Sequence, residues 1–136
     1  MVQEEINVEA RLRAAGVKPT SQRLEIGRIL LSAPQHMSAE QIISRLNSQG
    51  SRVSKATVYN TLKLFTDEGL IREVSVDSTR QFYDSTTGHH HHFYNVDTCE
   101  LIDIDPAELR FSQLPELPEG TEAADVEVIL RVRNRT

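Results

Sequence analysis

The hydrophobic period of the chain changes at Gly69, and this change constrains the fold more than any other feature. Before it, apolar side chains recur at the spacing of one helical face, as in residues 26–33. After it, residues 70–76 are rich in β-branched side chains, residues 77–79 have turn chemistry, and residues 80–83 can return as a strand. Helices followed directly by a hairpin predict an α+β fold and are the order of a winged helix-turn-helix, although other small α+β domains also show this order.

The helices are bounded by residues that commonly start or end them. An N-terminal helix around Leu12 is predicted to end at Gly16, and the next helix opens at Thr20. Ser38 begins a capping-box pattern, in which a serine hydroxyl and a glutamine amide satisfy first-turn N–H groups. Ser54 can cap a further helix that runs to the change of period. These signals predict an N-terminal helix and three further helices before the hairpin.

The second half of the chain is predicted to be mainly strand, over residues 89–96 and 100–104, with a closing strand near the C-terminus. We therefore predict a winged-helix DNA-binding domain over residues 1–84 and a small α/β, metal-sensing dimerisation domain over residues 85–136. The closing strand is expected to bury one alternating face. That face consists of Val126, Val128, Leu130 and Val132.

Charge and composition limit the partners and the compartment. The net charge is −5, but residues 11–76 hold ten Lys and Arg against five Asp and Glu, so this region can contact DNA phosphates. The chain has no apolar run long enough to span a membrane, and its acidic start lacks the features of a signal peptide. Its one cysteine, Cys99, fits a reducing compartment and is expected to be a buried small hydrophobe. We expect a cytoplasmic protein without membrane contact.

The segment SKATVYNTLKLF is the candidate DNA-recognition helix. Val58, Leu62 and Phe65 can pack inward, which leaves a polar and basic face for phosphates and base edges. Lys18 and Arg23, upstream, can contact the DNA backbone or the minor groove. A polar helix face is more often simply solvated, so the pattern alone does not establish DNA contact. The predicted face consists of Lys55, Thr57, Tyr59, Asn60 and Lys63.

Four consecutive histidines at positions 89–92 are the sharpest chemical feature. Alternate side chains on a strand share a face, so His90 and His92 can hold one metal while their neighbours point the other way. Asp84 and Asp103 can complete a set of nitrogen and oxygen ligands, which suits Fe(II), Mn(II) or Zn(II). A solvent-exposed run with adventitious metal affinity is the alternative interpretation.

The fifth histidine, His36, lies in the predicted loop between two helices of the first half. A metal ligand at this position would connect the DNA-binding domain to the sensor domain. Metal occupancy would then favour one relative orientation of the two domains, which is the element that a switch requires.

These motifs resemble the ferric uptake regulator superfamily across nearly the whole chain. The matching stretches are GVKPTSQRLEI, HMSAEQI, KATVYNTLKLFTDEGLI, RQFYDSTTGHHHHF and ELIDI. The resemblance implies a homodimer on an A/T-rich, palindromic operator. It places the regulatory metal on the ligand set His36, Asp84, His90, His92 and Asp103. It places the DNA contacts on Lys18, Arg23, Thr57, Tyr59 and Asn60.

Details of these motifs indicate which signal the protein senses and which further metal sites it can hold. Aspartate at position 84 is similar to the peroxide-regulator branch, whereas HHHHFY without a following CxxC pair is similar to the iron response regulator branch, which is associated with haem or iron sensing. The CxxC pairs that hold a structural zinc in many members are missing, so no structural zinc on four cysteines is expected. His89, His91 and Glu108 could form only a partial second metal site or a haem site.

We therefore predict a metal-dependent transcription regulator, a repressor, that senses iron or peroxide through Fe(II) or Mn(II), with Zn(II) an occupant in vitro. A regulator that responds to haem or iron status, of the iron response type, is the alternative. A non-haem metalloenzyme is disfavoured because five protein ligands leave little room for a substrate. The chain is not expected to be an enzyme.

Overall fold

The computed structural model describes residues 2–88 and 90–136 and separates into two compact units, Met1–Thr87 and Gly88–Thr136. We call these the N-terminal unit and the C-terminal unit. The α+β class predicted from the change of period is confirmed, with the helices in the first unit and a separate small sheet in each. The assignment of DNA binding to residues 1–84 and of metal sensing to residues 85–136 stays a prediction.

The N-terminal unit contains four helices and a three-stranded sheet among its described residues. Thr20, Ser38 and Ser54 each cap a helix by accepting a hydrogen bond from a backbone N–H group. Ser38 and Gln41 also form the predicted capping box. These predicted helix starts are confirmed. In chain order the elements are α1 (Val2–Ala14), α2 (Ser21–Leu31), β1 (His36–Ser38), α3 (Ala39–Ser48), α4 (Lys55–Asp67), β2 (Arg72–Ser75) and β3 (Gln81–Asp84).

The sheet of this unit has the order β1-β3-β2, and both pairings are antiparallel. The prediction that His36 lies in a loop was wrong, because His36 is the first residue of β1 and lies opposite Asp84 of β3. A three-residue strand is too short to show an alternation in sequence. It forms because β3, which already pairs with β2, offers a second edge to it.

The core of the N-terminal unit lies between the helices and the sheet. In α4, Val58, Leu62 and Phe65 are buried, as the recognition-helix pattern predicted. Close helix contact depends on Gly27 of α2, since a Cβ at that position would lie 2.9 Å from Val8 Cγ1 of α1. This packing leaves the outer side of α4 exposed.

The C-terminal unit is built on a three-stranded sheet with the order β5-β4-β6. Its elements are β4 (His91–Asn95), β5 (Glu100–Ile104), a 3-10 turn (Pro106–Glu108) and β6 (Ile129–Val132). Strand β4 pairs antiparallel with β5 and parallel with β6. Among the described residues, no helix has the length and the apolar character that are needed to cross a membrane.

Two expectations for this unit were wrong. The closing strand is short, and Val126 and Leu130 of its predicted buried face are 37% and 49% exposed. An alternating pattern shows which side chains share a face but not whether another layer covers that face. Cys99 is half-exposed instead of buried and has a φ of 61°, because it forms part of the tight turn between β4 and β5.

Candidate metal centre and nucleic-acid interface

Two histidines and one aspartate converge on the face of the β4–β5 pair. Register places His92 directly opposite Asp103, and His90 precedes the strand by one position and shares the face of His92. Both Nε2 atoms approach Asp103 Oδ1, at 3.4 Å from His90 and 3.3 Å from His92. His92 is fully buried and His90 is 8% exposed, so neither imidazole is an incidental surface group. The structure brings these three predicted residues together.

A hydrogen bond to the backbone fixes the tautomer of His90. His90 Nδ1 lies 2.8 Å from the carbonyl oxygen of Gly88. A carbonyl oxygen only accepts, so Nδ1 carries the proton, and neutral His90 presents a lone pair on Nε2. The ligand atoms of His90, His92 and Asp103 lie within 4.8 Å of one another. His90 Nε2 and Asp103 Oδ1, two acceptors 3.4 Å apart, repel each other unless a cation or a proton lies between them.

The donor set fits a divalent cation of the first transition row. Two imidazole nitrogens with a carboxylate oxygen and no thiolate suit Fe(II), Mn(II) and Zn(II) and do not select among them. The exposure of Asp103, at 58%, leaves an entry path for the ion, while the buried imidazoles are held in place by the sheet. These residues therefore fit the metal that the sequence predicted.

The other two predicted ligands lie in the N-terminal unit and are neighbours there. His36 and Asp84 are paired across β1 and β3, and Asp84 is only 1% exposed. Ser85 fixes the end of this strand pair, since it donates its backbone N–H to Gln35 O and accepts the Gln35 backbone N–H on its hydroxyl, both at 3.0 Å. Asp84 also accepts the Thr86 backbone N–H at 2.8 Å. A carboxylate and an imidazole are thus presented at one end of the sheet.

The predicted second metal or haem set has a different environment. His91 Nδ1 accepts the backbone N–H of Val128 at 2.9 Å, and its ring packs edge-on against Phe111. Glu108 lies exposed at the end of the 3-10 turn. In the described part of the chain, neither residue joins a group of converging metal-ligand atoms. His89 lies outside the described residues, so this second site stays a prediction.

The outer face of α4 carries the predicted DNA-contacting side chains. Lys55, Asn60 and Lys63 are exposed, Tyr59 is 43% exposed, and Thr57 is half-buried. A groove lined in part by Arg23, Thr57 and Asn60 connects this face to the start of α2. The structure therefore brings the α2 and α4 candidates together on one surface of the N-terminal unit.

Several of these side chains have intramolecular partners. Arg23 Nη1 donates to the backbone carbonyl of Lys18 at 3.0 Å, so the guanidinium of Arg23 lies against the backbone of Lys18. Lys63 Nζ lies 2.9 Å from Asp67 Oδ2, and this hydrogen bond raises the pKa of the lysine. The lysine thus stays charged, but a DNA phosphate must compete with Asp67 for it.

Sequence reasoning missed two acidic residues next to the predicted sites. Glu40 Oε1 accepts the Tyr59 hydroxyl at 3.2 Å, and burial together with the Glu40 charge raises the pKa of that tyrosine. Glu127 Oε1 lies 3.7 Å from His92 Nδ1, on the side of the ring away from Asp103. Glu40 lies within the HMSAEQI stretch and Glu127 lies in none of the matching stretches, but no local pattern marks either contact, because each joins distant parts of the sequence.

Comparison with known proteins gives a consistent family match. The model of the ferric uptake regulator family matches residues 14–131. A ferric uptake regulation protein from Pseudomonas putida is 37% identical over 129 residues, which cover 93% of this chain and 96% of that protein. The peroxide-responsive repressor PerR of Staphylococcus epidermidis is 33% identical over 110 residues, which cover 81% of this chain and 70% of that protein.

Solved structures agree with these sequence matches. The ferric uptake regulator from Pseudomonas aeruginosa, solved with manganese, superposes with a TM-score of 0.70 at 33% identity. The superposition covers 94% of this chain and 98% of that chain. The similarity therefore includes the helical N-terminal unit and the histidine-bearing C-terminal unit.

Proposed function

Because this chain belongs to the ferric uptake regulator family, we propose that it is a metal-dependent, DNA-binding transcription regulator that acts as a repressor. Its relatives are named as regulators of ferric uptake and as peroxide-responsive repressors, not as enzymes. The proposed regulatory ion is Fe(II) or Mn(II), and the solved relative from P. aeruginosa was described with manganese. The proposed ligands are His36, Asp84, His90, His92 and Asp103.

One observation carries the metal proposal. The Nε2 atoms of His90 and His92 both face Asp103 Oδ1 at 3.3–3.4 Å, and the Gly88 carbonyl holds the proton of His90 on the far side of its ring. With its proton on Nδ1, neutral His90 faces the Asp103 carboxylate with a lone pair, and this contact is favourable only when a cation or a proton lies between the two atoms. A bound metal ion would place positive charge among these three ligands.

We propose that the ion regulates DNA binding by drawing ligands from both units. His36 and Asp84 belong to the N-terminal unit, and the remaining three ligands belong to the C-terminal unit. An ion that binds all five favours the arrangements in which they converge and disfavours the rest. The ligands thereby contribute a coupling free energy between metal and DNA, which is commonly about 1–3 kcal/mol.

The proposed DNA-binding surface is the outer face of α4 with the start of α2. Lys18, Arg23, Lys55 and Lys63 would neutralise phosphates, while Thr57, Tyr59 and Asn60 would reach base edges and thymine methyl groups. A homodimer would place two such surfaces on an A/T-rich palindromic operator. This role places the protein in the cytoplasm, where the DNA is.

The proposed signal is iron or peroxide. Fe(II), when bound, supplies one-electron chemistry toward peroxide, and the ligand imidazoles are then the nearest oxidisable side chains. Oxidation of a ligand would weaken metal binding and release DNA. Response to haem or iron status is the second candidate, because the histidine run and its aromatic neighbours resemble the iron response type.

Fluorescence anisotropy on a labelled A/T-rich inverted repeat tests the proposal. We expect tight binding with Mn(II), weak binding in chelator, and loss of binding when the Fe(II)-loaded protein meets peroxide. The variant His36→Ala should lose the metal dependence while keeping its circular dichroism spectrum. DNA affinity that is unchanged by chelator would refute metal control and would direct the next test to haem.

A further inference from the structure

The two ring nitrogens of His92 each face a different carboxylate. Nε2 lies 3.3 Å from Asp103 Oδ1, and Nδ1 lies 3.7 Å from Glu127 Oε1. His92 is fully buried, and the Glu127 side chain is 22% exposed. All three residues belong to the C-terminal unit. A buried imidazole between two acidic groups calls for an explanation beyond packing.

The backbone next to Glu127 is fixed against β4. Val128 donates its N–H to His91 Nδ1 at 2.9 Å, and its carbonyl accepts the N–H of His92 at 3.1 Å. Two hydrogen bonds thus clamp the residue after Glu127 directly beside the histidine strand, before β6 begins. These bonds fix the backbone from which the Glu127 side chain extends toward the His92 ring.

His90 shows how an acceptor at Nδ1 determines the tautomer of a ligand histidine. The Gly88 carbonyl accepts from His90 Nδ1, and this hydrogen bond leaves the Nε2 lone pair directed at the site. At His92, the Glu127 carboxylate occupies the corresponding position, at a distance that a small movement of the side chain would shorten to a hydrogen bond. An ionised carboxylate there favours the proton on Nδ1 and makes the opposite nitrogen a better metal ligand.

We infer that Glu127 is a positioning residue for the regulatory metal, which holds His92 in the tautomer with its proton on Nδ1. This inference rests on the proposed metal site and assigns a role to a residue outside its ligand set. Glu127 does not touch the metal. It acts through His92. Because the Glu127 carboxylate is negatively charged, it makes His92 a stronger metal ligand than the neutral Gly88 carbonyl makes His90.

Three variants test the inference. Glu127→Ala removes the acceptor, Glu127→Gln keeps an acceptor but removes the charge, and Glu122→Gln changes an exposed glutamate of the same segment as a control. The first readout is Mn(II) affinity by electron paramagnetic resonance titration. The second is the tautomer of His92 in the metal-free protein, from long-range ¹H–¹⁵N correlation spectra. The second readout does not depend on metal binding at all.

We expect Glu127→Ala to weaken Mn(II) binding by about 10- to 100-fold, the usual range for such partners, and to shift the metal-free tautomer toward the Nε2 proton. Glu127→Gln should keep the wild-type tautomer and lose less affinity, while Glu122→Gln should change neither readout. A thermal melt checks that each variant folds.

The inference would be overturned if Glu127→Ala bound Mn(II) as tightly as the wild type and kept the wild-type tautomer of His92. A loss of affinity far beyond 100-fold with an unchanged tautomer would make Glu127 a direct ligand and would also overturn it. If wild-type protein binds no Mn(II) but its tautomer still depends on Glu127, the metal proposal fails while the positioning contact is supported.

Discussion

Replacement of Asp103 by Asn is expected to stabilise the metal-free protein while it weakens metal binding. In the wild type, Asp103 Oδ1 lies 3.3–3.4 Å from the Nε2 atoms of His92 and His90, and His90 Nε2 presents a lone pair because Nδ1 carries the proton. An asparagine amide can donate a hydrogen bond to one of those nitrogens, which the ionised carboxylate cannot do. The substitution thus converts an unfavourable contact into a favourable one.

The magnitude follows from one hydrogen bond at a partly exposed position. A net intramolecular hydrogen bond contributes about 0.5–1.5 kcal/mol to the free energy of unfolding. Asp103 is 58% exposed, so solvent reduces the gain to the lower part of that range. We expect about 0.5–1 kcal/mol, or a rise in melting temperature of about 2–5 °C. Mn(II) affinity should fall by at least about tenfold, because a ligand to the ion itself is lost.

The assay is a thermal melt at pH 8, once in chelator and once in excess Mn(II). Wild-type protein should gain stability from Mn(II), and Asp103→Asn should gain far less. Glu100→Gln, an exposed acid of the same strand, is the matched control and should behave like the wild type. A lower melting temperature of Asp103→Asn in chelator, relative to this control, would refute the account in which two acceptors, His90 Nε2 and Asp103 Oδ1, face each other.

Three further predictions concern the N-terminal unit. Gly27→Ala should lower the free energy of unfolding in urea by about 1 kcal/mol, since its Cβ would lie 2.9 Å from Val8 Cγ1 and overpacking outweighs the gain in helix propensity; an unchanged or higher midpoint would contradict this packing. Ser38→Ala should cost about 1 kcal/mol in the same assay through loss of the capping box, with Ser48→Ala, at the exposed end of the same helix, as control. Lys55→Ala should weaken operator binding and reduce the slope of log affinity against log salt by about 0.9, and an unchanged slope would remove Lys55 from the interface.

Local patterns predicted the parts of the fold that local chemistry determines. The capping residues Thr20, Ser38 and Ser54 start helices where the sequence indicated, because a cap satisfies N–H groups within its own first turn. His90 and His92 share a face because alternation on a strand is a property of the backbone. These predictions needed no knowledge of tertiary contacts.

The parts that sequence did not predict depend on long-range pairing. Strand β1, with His36, forms only because β3 supplies an edge nearly fifty residues later, so no local signal marks it. Glu127 lies near His92 because the neighbouring Val128 donates a hydrogen bond to His91, a residue far away in the sequence. The predicted buried face of the closing strand failed for a related reason, since exposure of Leu130 depends on what covers the sheet and not on the alternation itself.

The central claim is that metal binding and DNA binding are coupled, and reciprocity gives its most direct test. Mn(II) affinity should be measured by titration with and without a saturating operator duplex, and operator affinity with and without saturating Mn(II). Linkage requires both ratios to be equal, and a coupling of about 1–3 kcal/mol predicts a factor of about 5–150. Mn(II) binding that is equally tight with and without operator would contradict the account, however strong each binding step is alone.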